Sequence, residues 1–372
     1  MRKLALLFLL AGMASPAVAA DRATVDQLEQ WLATVQGKPD ATVAKRLGTL
    51  EMSERVSSIR LARWEAEFPG AHERLALVAL ADASAFLDLP ARELPARLPP
   101  DIKAQSAILT QAIDYVAKTM PKLPNFVARR DTTYFEDMPA QGGALALQSA
   151  SIGGRGGSRI NITAAPSETE AQPLSFVGAS SVTVTYRDGR EVQVTAKGGK
   201  AAVPARGLTT GGEFGPILGL VLGDAVRGSV TWSHWEQGTE AVEAVFRYTV
   251  PQEKSHYMVG VPFLSKAPLF PAYHGQIAVD SADGSVLRMT VVSDLKAPYE
   301  GVVANMLVEY GPMTIGARTY ICPLKGVAIS KVPLAGLRDA IRTQVNDVLF
   351  IQYQVFRGEA RILDPNDMAA AP

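Results

Sequence analysis

Between residues 273 and 323 the chain repeats with a period of two, and that pattern limits the fold more than any other feature. Gln276-Ile277-Ala278-Val279-Asp280 alternates apolar with polar or small residues, Ser281-Ala282-Asp283-Gly284 turns, and 286–292 returns. A second pair follows, with 303–310 running out through Gly311-Pro312 and 318–321 stopping at Pro323. Alternation bounded by Gly and Asp turns is the signal of antiparallel strands half-buried on one face. A helix, with its 3.6-residue period, cannot bury such a pattern.

The same period runs through most of the C-terminal two-thirds. A strand is predicted at 126–135, and strands at 182–186 and 191–195 flank Asp188-Gly189, a strong hairpin dipeptide. Further strands are expected at 229–235, 241–250, 257–261, 350–356 and 360–363, while 337–349 reads as a helix or a connection. The stretch 141–158 is rich in Gly and Ser, 197–212 in Gly and Lys, and both read as loop. About ten antiparallel strands imply one large curved sheet whose apolar face needs a cover. Residues 213–226 interrupt the strands with a single apolar helix, the candidate for that cover. Within it, Gly215, Gly219 and Gly223 recur at spacing four, which would let its backbone approach another surface closely.

Residues 24–120 have helical periodicity instead. Thr24 and Gln27 form a capping-box pair ahead of Val25, Leu28, Leu32 and Val35. Asp40 starts a short helix carrying Val43 and Leu47. Ser53 opens the next, with Val56, Ile59 and Trp64 inward, until Pro69-Gly70 breaks it. A fourth helix spans 71–88 with Leu75, Val78 and Phe86 on its apolar side. The four prolines between 90 and 100 exclude regular helix there, and Asp101 caps a fifth helix with Ile108, Ala112 and Val116. The expected class is therefore α+β. An N-terminal helical module at 21–123 precedes a large curved antiparallel sheet, an open half-barrel, at 124–363, with the apolar helix over its concave face. Residues 364–372 read as a disordered tail.

The first twenty residues read as an export signal. Arg2 and Lys3 precede an apolar run, and Ala17-Val18-Ala19 resembles a small-residue cleavage site. Cleavage near Ala19 or Ala20 into the periplasm is expected. It would remove two of the 37 basic residues and none of the 37 acidic ones, leaving a slightly acidic chain. Such a balance gives no long-range attraction to nucleic acid or an anionic membrane. Cys322, the one cysteine, allows no internal disulfide in an oxidising compartment.

Catalytic chemistry is not legible. Gly153-Gly154-Arg155-Gly156-Gly157-Ser158 lacks the ending of a phosphate-binding P-loop, and Arg159 occupies the position where a dinucleotide fingerprint needs Gly. His72, His234, His256 and His274 have no metal-ligand spacing, and the last three are expected on separate strands. Cys322 sits among apolar neighbours, without a helix N-terminus to activate it, and Ser293-x-x-Lys296 falls at a strand end. No metal or cofactor is expected, and the chain reads as non-enzymatic.

Residues 124–363 resemble the periplasmic lipoprotein-carrier (LolA/LolB/RseB-like) fold. The resemblance rests on 273–280, Gly284 to Arg288, Val308-Glu309-Tyr310-Gly311 and 316–323. It implies an unclosed, bent antiparallel sheet around an apolar cavity plugged by helices. It also implies an apolar ligand, such as a lipid, an acylated protein or an apolar peptide. Phe214, Ile217, Leu218, Val221, Leu222, Trp232, Tyr273 and Tyr320 are the expected lining residues. Trp232 and Trp235 are expected on opposite faces of their strand. The helical module departs from the single-domain carriers and suggests a second role, contact with an envelope protein through residues 24–120. The alternative function is an envelope interaction or stress-sensing module with no small ligand.

Overall fold

The computed structural model describes residues 21–138, 172–194, 213–239, 241–260, 267–333 and 341–356. The expected export segment at 1–20, the whole Gly- and Ser-rich stretch 141–158, the stretch 197–212 expected as loop, the strand expected at 360–363 and the tail expected at 364–372 lie outside the described residues.

A helical layer comes first. Helix α1 (Val25–Val35) starts at the expected capping box: Thr24 Oγ1 accepts from the Gln27 amide, and Gln27 Oε1 accepts from the Thr24 amide. Helix α2 (Asp40–Leu47) buries Val43 and Leu47. Helix α3 (Ser58–Glu67) is capped by Ser57, later than expected, so Leu61 and Trp64 take its inner positions and Ile59 is 48% exposed. Helix α4 (Ala71–Ala83) ends five residues before the predicted 88. Its N-cap, Gly70, has no side chain. Asp40 of α2 substitutes, accepting from the His72 and Glu73 amides. Leu28, Leu32, Leu47, Trp64, Phe68 and Leu77 form a core private to this layer. Strands β1 (Asp21–Ala23) and β2 (Leu50–Met52) pair in parallel beside it, too short to leave a periodic signal.

Helix α5 (Ile102–Thr119) is capped by Asp101. Its inner residues Ala112 and Val116 join the sheet's core and not that of α1–α4. The sheet contains β3 (Phe126–Met138), β4 (Gln172–Arg187), β5 (Arg190–Val194), β6 (Ser229–Gln237), β7 (Val242–Val250), β8 (Ala272–Asp280), β9 (Val286–Asp294), β10 (Val303–Ile315), β11 (Arg318–Pro333) and β12 (Ile341–Val355). Their order is β5-β4-β3-β12-β11-β10-β9-β8-β7-β6, antiparallel throughout. The β4–β5 hairpin turns at Asp188 and Gly189 with φ of 51° and 76°, the twist that a two-residue loop requires. Strands β5 and β6 each have one neighbour, so the sheet is not closed into a barrel.

That order explains helix α6 (Pro216–Arg227). It lies between β5 and β6, which sit at opposite edges, so the chain must traverse the sheet's full width there. Together α5 and α6 cover one face of the sheet, and α4 packs on the other. On that second face Ala79 and Ala85, with Leu75, Val78 and Phe86, meet Phe135, Leu307, Val327, Ile329 and Val345.

Three strand expectations need correction. Strand β11 does not stop at Pro323 but continues to Pro333, and β10 runs on to Ile315. A register shift lets Tyr310 face Pro323 while Glu309 faces Lys325, and such an irregularity is where a sheet tolerates Pro. Residues 341–349 form strand, with no helix. Val345, Asn346, Asp347 and Val348 are all buried, because layers cover both faces of β12, and this hides the alternation. At 257–260 the described residues form only an isolated bridge, Val259 to Leu269, and His256 does not lie on a strand.

Candidate functional site

Helix α6 begins with Pro216 at its first turn, where a missing N–H costs nothing. Ile217, Leu218, Val221, Leu222 and Ala225 recur at helical spacing and face the sheet. They enter one core with Trp235, Phe246, Tyr248, Tyr273, Ile277 and Met289. The glycine expectation is corrected. Among the described residues a Cβ on Gly219 would meet nothing within 4 Å, and one on Gly223 only Arg227 Nη2 at 3.8 Å. Both glycines face outward and permit no close approach. Their effect is to weaken the helix by about 1 kcal/mol each relative to Ala. Gly215 is different: its φ is 137°, and a Cβ there would lie 2.6 Å from Met120 Sδ.

A carboxylate flanks each end of this helix. Asp224, fully buried, accepts from the His256 amide at 2.8 Å, His256 Nδ1 at 2.7 Å, the Tyr273 hydroxyl at 2.9 Å and Arg227 Nη2 at 2.9 Å. Burial works against its charge, but the bonds from His256, Arg227 and Tyr273 outweigh it and hold the carboxyl below its ordinary range. The Tyr273 hydroxyl is pushed up by burial and by the carboxylate to which it donates. Glu213 precedes the helix, is also buried, and lies 3.7 Å from Arg130 Nη2. Neither of its oxygens has a hydrogen-bond partner among the described residues. The helix is thus held by an apolar stripe and by a four-donor latch near its C-terminal end.

The structure gathers six of the eight expected lining residues. Ile217, Leu218, Val221, Leu222 and Tyr273 share one core, with Trp232 packed against it. Phe214 and Tyr320 belong to a second cluster on β3, β4, β11 and β12, where the Phe214 ring sits 5.2 Å from Phe126 and 5.1 Å from Phe350. Trp232 and Trp235 do not lie on opposite faces. A register shift between Trp232 and His234 inserts Ser233 and returns Trp235 to the same side, with ring centroids 4.9 Å apart. The expected list omitted Asp224 and Trp235. A lone Asp inside an apolar helix was the available signal for the first. The bulge that places the second leaves no trace in composition.

These side chains fill the space between helix and sheet. An open groove of about 1030 Å³ lies outside it, along α5, lined by Ile102, Ser106, Thr110, Tyr115, Lys118 and Asp283. Cys322 is buried, and burial pushes its thiol up to about 12, so thiolate is scarce at neutral pH. His274 is exposed on β8, bonded to Asp294 of β9 at 3.0 Å. No helix among the described residues is long and apolar enough to cross a membrane.

The fold and site define a class: an α+β protein on an open ten-stranded antiparallel sheet, one face carrying an apolar helix and the other a helical layer. No protein-family model matches the chain. No curated protein matches it either. Among solved structures it is similar to the crystal structure of a LolA superfamily protein from Nitrosomonas europaea. The identity is 10% and the TM-score 0.28, over 71% of this chain and 98% of that one.

Proposed function

We propose that this chain is a non-enzymatic, exported binding protein that holds an apolar ligand between α6 and the sheet. The ligand class is a lipid, an acylated protein or an apolar peptide, and the compartment is the periplasm. The carrying observation is the contrast within α6: five apolar residues on the sheet, two glycines on the outside, and one polar latch at Asp224. The helix occupies the apolar face when no ligand is present. An acyl chain gains roughly 0.8 kcal/mol per buried methylene, so about five methylenes offset a few kcal/mol for displacing the helix. Ile217, Leu218, Val221, Leu222, Trp232 and Tyr273 would line the opened space, and Phe214 and Tyr320 would extend it toward β3.

Native mass spectrometry of the purified protein, followed by titration with a fluorescent fatty acid, tests this. Copurified lipid or saturable one-site binding supports it. Absence of both overturns it.

The second function, an envelope interaction module without a small ligand, is favoured by one observation. Leu98 and Ile102 are 87% and 84% exposed at the entrance to α5. A pull-down from envelope extract distinguishes it. Partner capture that Leu98→Ser with Ile102→Ser abolishes, in a protein without fatty-acid binding, would replace the first reading.

A further inference from the structure

The face of the sheet opposite α6 holds a layer of charge that ligand binding does not use. Arg55, in the loop after β2, donates to Glu236 Oε1 of β6 at 2.6 Å, and Arg288 of β9 donates to Glu236 Oε2 at 2.6 Å. His234 Nε2 lies 3.5 Å from the same carboxylate. Lys325 of β11 bonds Asp82 of α4 at 2.7 Å and approaches Asp347 of β12 at 3.3 Å. At the rim, Asp88 accepts from Arg247 at 2.7 Å and from Gln276 at 3.3 Å. The helical layer α1–α4 is fastened to the sheet through Arg55, Asp82 and Asp88, and through the apolar patch of α4.

The charges inside this seam do not balance. Among the described residues Asp82, Glu236, Glu243, Glu309 and Asp347 face Arg55, Arg288, Lys325 and the imidazole of His234, five carboxyls to three permanent cations and one histidine. Both arginines are committed to Glu236, and Lys325 is shared by Asp82 and Asp347. Among the described residues Glu243 of β7 and Glu309 of β10 therefore have no cation of their own. Around Glu243 stand Glu236, Glu309 and Asp280, with Arg55 the cation among the groups acting on it. Around Glu309 stand Lys325 and Arg55 but also Glu236 and Asp347. Asp82 is different: Lys325 donates to it at 2.7 Å, and it holds the layer as a carboxylate. A buried carboxyl without such a partner, as at Glu243 and Glu309, keeps its proton, because ionising it adds an uncompensated charge.

We propose that the helical layer is a proton-dependent latch, docked on the sheet while these carboxyls are protonated and released from it as they ionise. The layer has its own core of Leu28, Leu32, Leu47, Trp64 and Leu77, so it can leave as a folded body. Burial followed by the like charges of Glu236 and Glu309 raises Glu243 to about 8, and burial raises Glu309 against the pull of Lys325 and Arg55. Undocking returns both to water and to the ordinary carboxylate range near ~4. The docked state thus binds more protons than the undocked one. The contribution of Glu243 is full below that ordinary range, weakens as pH rises from it, and changes no further above about pH 8. Glu236, held low against burial by His234 and Arg55, weakens docking only on the acid side. Within the window each such carboxyl changes the docking constant about tenfold per pH unit.

Thiol labelling of the full chain carrying Ala79→Cys, between pH 5 and pH 9 and corrected for the thiolate fraction, tests the latch, because Ala79 is buried on the side of α4 that meets the sheet. Between pH 6 and pH 8 the opening constant read at that position should rise roughly 100-fold. Leu28→Cys in the layer's own core and the native Cys322 should stay protected. Glu243→Gln should flatten the slope by about one proton. Should Glu243→Gln fail to fold, Glu309→Gln supplies the same readout at the neighbouring position. Labelling at Ala79→Cys that does not change with pH overturns the proposal. So does simultaneous labelling at Leu28→Cys and Cys322, which would mean global unfolding, or a full slope retained in the neutral variants.

Discussion

Gly219 and Gly223 offer a perturbation of α6 that touches nothing else. Among the described residues a methyl group at either position finds open space, with nothing nearer than Arg227 Nη2 at 3.8 Å, so Gly219→Ala with Gly223→Ala adds no clash and removes no contact. What changes is helix propensity, worth about 1 kcal/mol per site and about 2 kcal/mol for the pair. If ligand entry requires α6 to unwind, that extra stability must be overcome before binding. The apparent affinity for a fluorescent fatty acid should fall by about 30-fold, since 1.4 kcal/mol is a factor of ten. Fluorescence titration reads the affinity directly, and thermal unfolding should show the variant more stable than the wild type. A stabilised variant that binds with unchanged affinity would refute the claim that the helix unwinds.

The latch at Asp224 predicts a pH dependence. Its folded-state carboxyl lies below the ordinary value, so its stabilisation is present above ~4 and is lost as pH falls through the lowered value. Asp224→Asn should cost about 1–3 kcal/mol at pH 7 and flatten the acid limb of thermal stability, measured by circular dichroism from pH 7 to pH 3. Phe214→Ala removes a ring packed edge-on against Phe126, Phe350 and Tyr353 and tilted against Tyr186, and should cost about 3–5 kcal/mol in urea unfolding. The Cys322 thiol, buried and raised to about 12, should resist Ellman's reagent at pH 8 in the native protein and react on unfolding. Rapid native labelling would contradict its burial.

Much of this fold is written in periodicity. The strands at 273–292 and the Asp188-Gly189 hairpin follow from alternation and turn chemistry, and the capping box at Thr24 marks the first helix. Less legible is which surface a helix covers. The apolar stripes of α4 and α5 predict helices, but not that α4 takes one face of the sheet and α5 the other. Burial on both faces also erased the signal of β12, where Asn346 and Asp347 lie inside. At the candidate site, the inward residues of α6 were readable because helical spacing sets them. The Trp232 and Trp235 pair was not, because one inserted residue inverts the alternation on which the expectation rested. The charged seam was invisible for a related reason: Arg55, Asp82, Glu236 and Lys325 are distant in sequence, and each alone reads as solvated surface.

The apolar helix and its sheet face are the centre of the account, and photolabelling tests them directly. A diazirine-bearing fatty acid, bound at saturating concentration and irradiated, should modify Leu218, Val221 or Leu222 on α6 and Tyr273 or Trp232 on the sheet. Excess unlabelled fatty acid should compete the labelling away. Modification confined to the groove along α5, around Ile102 and Tyr115, or no competable labelling at all, would contradict a ligand held between α6 and the sheet.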